Sequence, residues 1–189
     1  MSILIYAESA EGKFKKVALE LASYAKKVAE SMGTTVTAIA VNTSDVSELS
    51  NYGVDKVLKV TNDKLNSFNA KAYADVIKQA AEKEDAKIVV MSSTTDSLYA
   101  APLVSVALNA GYASNVVALP LSTSPFQVKR TAFSNKAFNV TELTTAVKVI
   151  GLAKNSYGLN EDAVATSEEA FAPALDSSAF GVKVENVEK

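Results

Sequence analysis

Short apolar strands alternate with amphipathic helices from Ile3 to Leu119, and this alternation restricts the folds open to the chain. Continuous runs such as TVTAIAV and KIVVM are typical of strands that are covered on both faces. Between such runs, apolar residues recur at helical spacing, as they do from Lys13 to Met32. Parallel strands joined by helices cross over in the right-handed sense. The pattern predicts an α/β fold with a doubly wound, mostly parallel five-stranded, Rossmann-like sheet.

The positions of the elements follow from the same pattern. The predicted strands are residues 2–8, 35–41, 55–60, 87–91 and 115–119, and the predicted helices are residues 13–32, 45–52, 69–84 and 98–109. Gly33 follows a predicted helix end, where a residue without Cβ adopts the left-handed conformation at no steric cost. Pro102 is expected within the first turns of its helix, because a missing N–H costs little there.

After Pro120 the pattern changes from alternating strands and helices to strands alone. Segments 127–133, 136–140 and 146–153 predict an antiparallel hairpin or meander appended to the parallel sheet. Asn135 lies in the tight turn between the first two segments, and asparagine tolerates the left-handed backbone that such a turn requires.

The last 35 residues have a different character. Residues 155–189 carry seven carboxylates against two lysines, a net charge of −5, whereas the whole chain carries −2. Helical periodicity is absent, so we expect an extended, weakly packed connector with a strand-like stretch at 180–187. The predicted domain is therefore residues 1–154, and deleting 160–189 is expected to leave its cooperative unfolding nearly unchanged.

Composition excludes several classes of function. The chain of 189 residues has no histidine and no cysteine, so we expect no catalytic thiol, no general base of the usual kind and no metal site. It has no glycine-rich phosphate loop of either common pattern. The net charge of −2 does not suggest nucleic-acid binding, and no apolar run is long enough for membrane insertion. The lack of cysteine fits a cytoplasmic location.

Two loops at strand ends are candidate ligand sites. The loop MSSTTDS (residues 91–97) precedes a predicted helix whose free N–H groups could bind a phosphate. Alternatively, one of its hydroxyl or carboxylate side chains caps the helix, and Asp96 already complements the positive helix end. The first loop, with Ser9, Glu11 and Lys13, is interpreted as solvated.

Arg130 is the candidate contact residue. It is the only arginine of the chain and lies beside Lys129 in a strand of the predicted hairpin. An arginine in such a place is suited to a bidentate or stacked contact, although a solvent-facing position is the alternative. Tyr6, Tyr24 and Tyr73 are interpreted as core residues.

Four segments occur in an order that resembles the N-terminal domain of the electron-transfer flavoprotein alpha subunit. They are ILIYAE at the start, MSSTTDSLYAAPLVSVAL, YASNVVAL and the hairpin segment RTAFSNKAF. The resemblance covers about residues 2–154, and it implies an adenine nucleotide alpha hydrolase-like form of the fold. The acidic stretch 155–189 resembles the interdomain connector of that family.

Individual positions of the family pattern are also recognisable. That family usually has a Ser-Asp pair before the strand, and Arg, an aromatic residue, Gly and Ala in the hairpin. The corresponding residues here are Ser114, Asn115, Arg130, Phe133, Asn135 and Ala137. Asparagine thus replaces the acid and the glycine, and it keeps access to the left-handed turn. The basic residue expected after the polar loop is absent from residues 96–99.

The resemblance implies a scaffold and subunit-contact domain of an electron carrier, not an enzyme. It implies FAD held mainly by a C-terminal domain, so no catalytic or cofactor-binding residue is carried over onto this chain. We therefore expect the N-terminal part of a longer protein. The implied partners are the beta subunit, flavin dehydrogenases that donate electrons, and a membrane quinone reductase or another electron acceptor.

Two other functions remain open from the sequence. A nucleotide-binding domain of the universal-stress-protein type shares the sheet topology, but Pro120 and a hairpin follow Leu119 where that family has a glycine-rich loop. A small hydrolase could use Ser92 or Ser93 as nucleophile, but the chain has no histidine to act as its base.

The chain of 189 residues, purified alone, is expected to carry no flavin, because it lacks a dinucleotide-binding fingerprint in its strand-end loops. An absorbance spectrum of the purified protein checks this expectation. A yellow preparation with stoichiometric FAD contradicts it.

Overall fold

The computed structural model of the protein describes residues 2–182 and residue 185. Within these residues the strands are β1 (Ser2–Ala7), β2 (Ser9–Ala10), β3 (Lys13–Phe14), β4 (Thr35–Val41), β5 (Lys56–Val60), β6 (Ile88–Ser92), β7 (Gly111–Val116), β8 (Ser122–Thr123), β9 (Phe126–Ala132), β10 (Ala137–Glu142), β11 (Lys148–Leu152) and β12 (Ser167–Ala170). The α-helices are α1 (Lys16–Met32), α2 (Ala70–Lys83) and α3 (Thr95–Ala107), and 3-10 helices span Ser47–Tyr52, Asp63–Leu65 and Ser177–Phe180.

One large twisted sheet organises the described part of the chain. Its strand order is β10-β9-β7-β11-β6-β1-β4-β5-β12, and β8 pairs with β9. From β7 to β12 all neighbours in this order are parallel, whereas β9 and β10 are antiparallel. The small hairpin of β2 and β3 forms a separate two-stranded sheet. The predicted fold class, α/β with a mostly parallel sheet, is confirmed.

The strand predicted at 146–153 lies elsewhere than expected. Instead of extending the antiparallel meander, β11 is inserted between β6 and β7 and pairs in parallel with both. The physical reason is its continuous apolar run, since Val149 and Ile150 face the two opposite cores of the sheet. The parallel part therefore has more than the five strands predicted, and the strand expected at 115–119 lies at Gly111–Val116.

The helices cover both faces of the sheet, as a doubly wound fold requires. Alpha helix α1 packs on one face through side chains such as Leu21 and Tyr24. Helices α2 and α3 pack on the other face through Ile77 and Val104. No helix among the described residues has the length and hydropathy needed to cross a membrane.

Several local predictions can be compared with the structure. Gly33 ends α1 in the left-handed conformation with φ 62°, and Asn135 has φ 63° in the β9–β10 turn, so both expectations are confirmed. Helix α3 begins at Thr95, three residues before the predicted start, so Pro102 lies in the helix interior and not in its first turns. The segment predicted as a helix at 45–52 forms the 3-10 helix Ser47–Tyr52.

The acidic C-terminal segment is not weakly packed, contrary to the expectation. Strand β12 pairs in parallel with β5 and covers what would otherwise be the edge of the sheet. Ala179 is buried, and Phe171 and Leu175 pack against the same core as α2. The strand-like stretch expected at 180–187 is not seen at Phe180, which lies in a 3-10 helix; residues 183, 184, 186 and 187 lie outside the described residues.

Charge complementarity also holds this segment to the sheet. Glu169 lies 2.7 Å from the ammonium groups of both Lys56 and Lys83, and Glu168 lies 3.0 Å from that of Lys59. Hydrogen bonds from Lys56 and Lys83 lower the pKa of Glu169 to about 2. The acidic residues of the segment thus meet lysines of β5 and α2.

The beginning of the segment is held by Glu20, a buried carboxylate of α1. It accepts hydrogen bonds from the backbone N–H groups of Asn155 and Tyr157, both at 2.9 Å, and of Gly158 at 3.0 Å. One side chain therefore satisfies three backbone donors where the segment leaves β11.

Glu20→Gln is expected to lower the free energy of unfolding by about 2 kcal/mol. In this variant an amide N–H₂ group replaces one accepting oxygen of the carboxylate, so a backbone N–H donor faces another donor. The substitution should also speed tryptic cleavage after the exposed Lys154. Chemical denaturation and timed proteolysis measure the two effects. The exposed Glu30→Gln serves as the control, with an expected change below about 0.5 kcal/mol, and equal stability of the two variants contradicts the role of Glu20.

Candidate functional site

The carboxyl ends of β1 and β6 meet in a buried polar cluster centred on Glu8. This residue directly follows β1 and is only 1% exposed. Its Oε1 accepts hydrogen bonds from the hydroxyl groups of Ser92, of Thr94 at 2.5 Å and of Ser97 at 2.7 Å. Its Oε2 lies 3.2 Å from the ammonium group of Lys15. The cluster therefore ties β1 to β6 and to the first turn of α3.

The cluster lies at the N-terminus of α3, where the peptide dipoles favour a negative charge. Thr94 caps this helix, because its hydroxyl oxygen accepts from the backbone N–H of Ser97. The prediction that the MSSTTDS loop caps the helix is confirmed. The crevice beside β1 is the place where ligands bind in doubly wound folds, and here the Glu8 carboxylate fills it with a negative charge from the chain itself.

Opposing effects act on the acidity of Glu8. Burial raises the pKa of its carboxyl group, whereas hydrogen bonds from Ser92, Thr94 and Ser97 and the charge of Lys15 lower it. The net result is a pKa below the ordinary value of a glutamate. Glu8 is therefore ionised at neutral pH and acts as a permanent acceptor.

The other loop named from the sequence forms the β2–β3 hairpin. Ser9 donates a hydrogen bond to the carbonyl oxygen of Val41 at 3.1 Å, so it links the loop to the end of β4. The predicted core positions of Tyr6, Tyr24 and Tyr73 are confirmed, since all three are buried. The described residues contain no group of acidic side chains that could hold a metal ion.

Arg130 lies on β9 beside the carboxyl end of β7. Its Nη2 donates to the hydroxyl oxygen of Ser114 at the long distance of 3.4 Å. Its Nε is buried and has no hydrogen-bond partner within the described part of the chain, and the same is true of the Ser93 hydroxyl oxygen. Arg130 is therefore not a simple solvent-facing residue of the strand.

Helix α3 has its large apolar side chains on the outside. The residues that face the core are small or short: Ser97, Ala100, Ala101, Val104 and Ser105. The large apolar residues that are exposed are Leu98, Tyr99, Leu103 and Val106. Tyr99 is 67% and Val106 is 78% exposed, and Asp96 is the only charged residue of the helix. A helix that is apolar all round is normally buried on all sides, so this outer face has the character of a contact surface.

A second apolar surface lies on the hairpin of β9 and β10. Phe133 at its turn is 80% exposed, and Phe138 and Val140 of β10 are also exposed. The ammonium group of Lys129 lies 4.1 Å from the centre of the Phe138 ring. Strand β10 lies at one end of the strand order among the described residues, so its outer side is an unpaired edge of the sheet.

Sequence reasoning missed Glu8 and the outer face of α3. In the sequence Glu8 is only the last residue of the predicted strand 2–8, although an acid at a strand end, together with a serine- and threonine-rich loop at another strand end, is a usable signal. For α3 the signal was the absence of any charge after Asp96 within the helix.

Comparison with known proteins gives one family. The family model described as the electron transfer flavoprotein domain matches residues 3–178. The chain is 30% identical over 122 residues to the electron transfer flavoprotein subunit alpha of Clostridium acetobutylicum. This alignment covers 63% of this chain and 36% of that protein. The chain is 29% identical over 119 residues to protein FixB of Clostridium saccharobutylicum, which covers 62% of this chain and 36% of that protein.

The name of a third relative describes it as a subunit of an enzyme. The chain is 29% identical over 122 residues to subunit LctC of the lactate dehydrogenase (NAD(+),ferredoxin) of Acetobacterium woodii, which covers 63% of this chain and 29% of that protein. The alignments thus span 36% of the length of the first two relatives and 29% of the length of the third.

Glu8→Gln is expected to destabilise the fold by about 2 kcal/mol at neutral pH, because three hydroxyl donors and Lys15 lose a charged acceptor. The folded-state pKa of Glu8 is lowered, so its contribution is present above the unfolded-state pKa and is lost as the pH falls through the folded-state pKa. Urea denaturation at a series of pH values should show wild type and variant converging in acid.

The exposed Glu48→Gln is the matched control for this series, and it should follow the wild-type profile within about 0.5 kcal/mol. A difference between wild type and Glu8→Gln that stays constant from neutral pH into acid would show that the charge of Glu8 does not stabilise the cluster.

Proposed function

Because the chain belongs to the electron transfer flavoprotein domain family, we propose that it is the N-terminal scaffold and subunit-contact domain of an alpha subunit. The whole protein shuttles electrons from flavin dehydrogenases to an acceptor. In this proposal the FAD is held mainly by parts of the protein outside these residues. The chain is a part of an electron carrier and performs no catalysis of its own.

The Glu8 cluster supports placing the flavin elsewhere. A nucleotide phosphate entering the crevice between β1 and β6 would meet an ionised carboxylate that is 1% exposed. The hydroxyl groups of Ser92, Thr94 and Ser97 already donate to that carboxylate. The same arrangement argues against the universal-stress-protein alternative, which requires a nucleotide in this crevice.

The outer face of α3 is the observation that carries the subunit-contact role. Its exposed apolar side chains lie on consecutive turns, since Tyr99, Leu103 and Val106 follow the i, i+4, i+7 spacing of one helix face. Tyr99 also lines a groove of about 530 Å³ with Phe68 and Val182. Covering such a surface with a partner removes apolar area from water, at about 25 cal/mol per Å². We assign this surface to the beta subunit.

The remaining parts of the proposal concern domain division and location. Residues 1–154 form the domain, and residues 155–189 form an acidic connector, the first part of which packs along β5 and α2. The segment from Ser167 to Phe180 adds the strand β12 and the buried Ala179 to the domain, and it has no separate core of its own. The proposed location is the cytoplasm, and no nucleic acid or membrane insertion is part of the proposal.

Val106→Glu on the outer face of α3 is expected to abolish co-purification with the beta subunit, because it places a charge within the proposed apolar contact, on its most exposed side chain. The measurement is a pull-down of the co-expressed pair, followed by sedimentation of the complex. Leu159→Glu is the matched control, since Leu159 is another exposed apolar residue and lies after Tyr157, which packs on the α1 side of the sheet.

Circular dichroism of each variant establishes that the fold is retained before the binding results are compared. Wild-type binding by Val106→Glu and by a Tyr99→Glu, Val106→Glu double variant would exclude the α3 face as the contact. Loss of binding by the Leu159→Glu control would move the contact to the opposite side of the sheet.

A further inference from the structure

We propose that Arg130, Ser93 and Ser114 form a binding site for an oxyanion, the phosphate or carboxylate group of a small molecule, at the carboxyl ends of β6 and β7. This site differs from the Glu8 crevice, and it does not depend on the proposed subunit contact. Its evidence is an arginine with no counter-charge among the described residues, buried polar atoms that have no partner there, and a glycine that leaves room near them.

The charge of Arg130 is not compensated within the described residues. The ion pairs found there all involve lysines, and none of them includes Arg130. Arg130 is nevertheless partly buried, so its guanidinium has lost part of its hydration. A charge in this situation is costly unless an opposite charge is supplied. No carboxylate of residues 2–182 or of residue 185 provides one, which favours an anion from outside.

Only some of the hydrogen-bond donors at and near Arg130 have partners among the described residues. The guanidinium has five N–H donors, and its Nη2 makes a long bond of 3.4 Å to Ser114. Its Nε and the hydroxyl oxygen of Ser93 are both buried and unpartnered. Buried polar groups are almost always hydrogen-bonded in native proteins. Arg130 contacts Ser114, and Ser114 and the Ser93 hydroxyl both lie next to Gly151. Two unpartnered donors in this region therefore indicate a ligand with several acceptor oxygens.

Gly151 on β11 keeps this region open. A Cβ at this position would lie 3.2 Å from the Tyr112 hydroxyl oxygen and 3.4 Å from the Ser93 hydroxyl oxygen. Both hydroxyl groups thus converge on the space above the glycine, and Ser114 lies against the same space. A side chain at position 151 would crowd the region where the donors meet.

The chemistry of these groups selects an oxyanion. An arginine fork matches the paired oxygens of carboxylate and phosphate. Burial raises the pKa of the Tyr112 hydroxyl, so this group stays protonated at neutral pH and can serve as a further donor. No carboxylate of the described residues is paired with Arg130 to compete with an incoming anion.

The lone arginine makes a direct test available. Because Arg130 is the only arginine of the chain, an ¹H–¹⁵N spectrum of the Nε–H region contains a single arginine signal. Titration with inorganic phosphate and, separately, with acetate should move this signal saturably, with a dissociation constant on the order of millimolar. Sodium chloride at matched ionic strength should leave it in place. Tighter binding of phosphate identifies a phosphate group, and tighter binding of acetate a carboxylate.

Variants test whether the named donors form the site. Ser93→Ala and Ser114→Ala together should weaken binding by at least about tenfold, because the loss of even one hydrogen bond to a charged group has roughly that effect. Arg130→Lys should weaken anion binding similarly, because lysine keeps the positive charge but loses the paired N–H donors of the guanidinium. Since this variant has no arginine signal, its binding is monitored through the backbone amide signals of Tyr112 and Ser114. Lys129→Gln removes a positive charge from the neighbouring residue. It is the control and should bind the anion like wild type.

A signal that does not respond to either anion overturns the proposal. So does a response that sodium chloride reproduces, or one that the double serine variant retains at wild-type affinity. Backbone amide spectra of each variant show whether the fold is kept, and Gly151→Ala provides a second route to the same site, since it should weaken binding without removing any donor.

Discussion

The burial of the Glu8 carboxylate determines how the carboxyl end of the sheet is organised. A buried carboxylate is unfavourable unless donors surround it, and here Ser92, Thr94, Ser97 and Lys15 provide them. These contacts fix the start of α3 against β1 and β6. They also occupy the crevice that doubly wound folds commonly use for phosphate. The fold therefore keeps a nucleotide-binding topology while its usual ligand position is filled by its own side chain.

The position of α3 then explains why this domain presents an apolar surface. Small residues such as Ala100 and Ala101 face the core and allow the helix to approach α2 and the sheet closely. The large residues that remain, Tyr99 and Val106 among them, can only point outward. In a helix of an isolated protein this arrangement would reduce solubility. It is consistent with a domain whose outer face is covered within a larger assembly, as we propose.

Local features could be predicted from the sequence, and long-range pairing could not. The alternation of strands and helices, the left-handed Gly33 and Asn135, and the cap at the MSSTTDS loop depend on neighbouring residues, and each is confirmed. The placement of β11 depends on which distant strands it joins, and an apolar run alone does not encode that partner. Even so, VKVIGL resembles a strand buried on both faces more than an edge strand of a meander.

The acidic segment shows why a pattern of apolar residues is an incomplete guide. Its attachment depends on backbone pairing with β5, on Glu20 and on pairs such as Lys56 with Glu169, none of which produces a periodicity. The net charge of −5 suggested solvation, yet several of these carboxylates complement lysines of the domain. The path of the segment brings Val182 to the groove that Tyr99 lines. The connector therefore approaches the side of the domain on which the outer face of α3 lies. If the proposed function holds, the beta subunit that covers this face also contacts the connector.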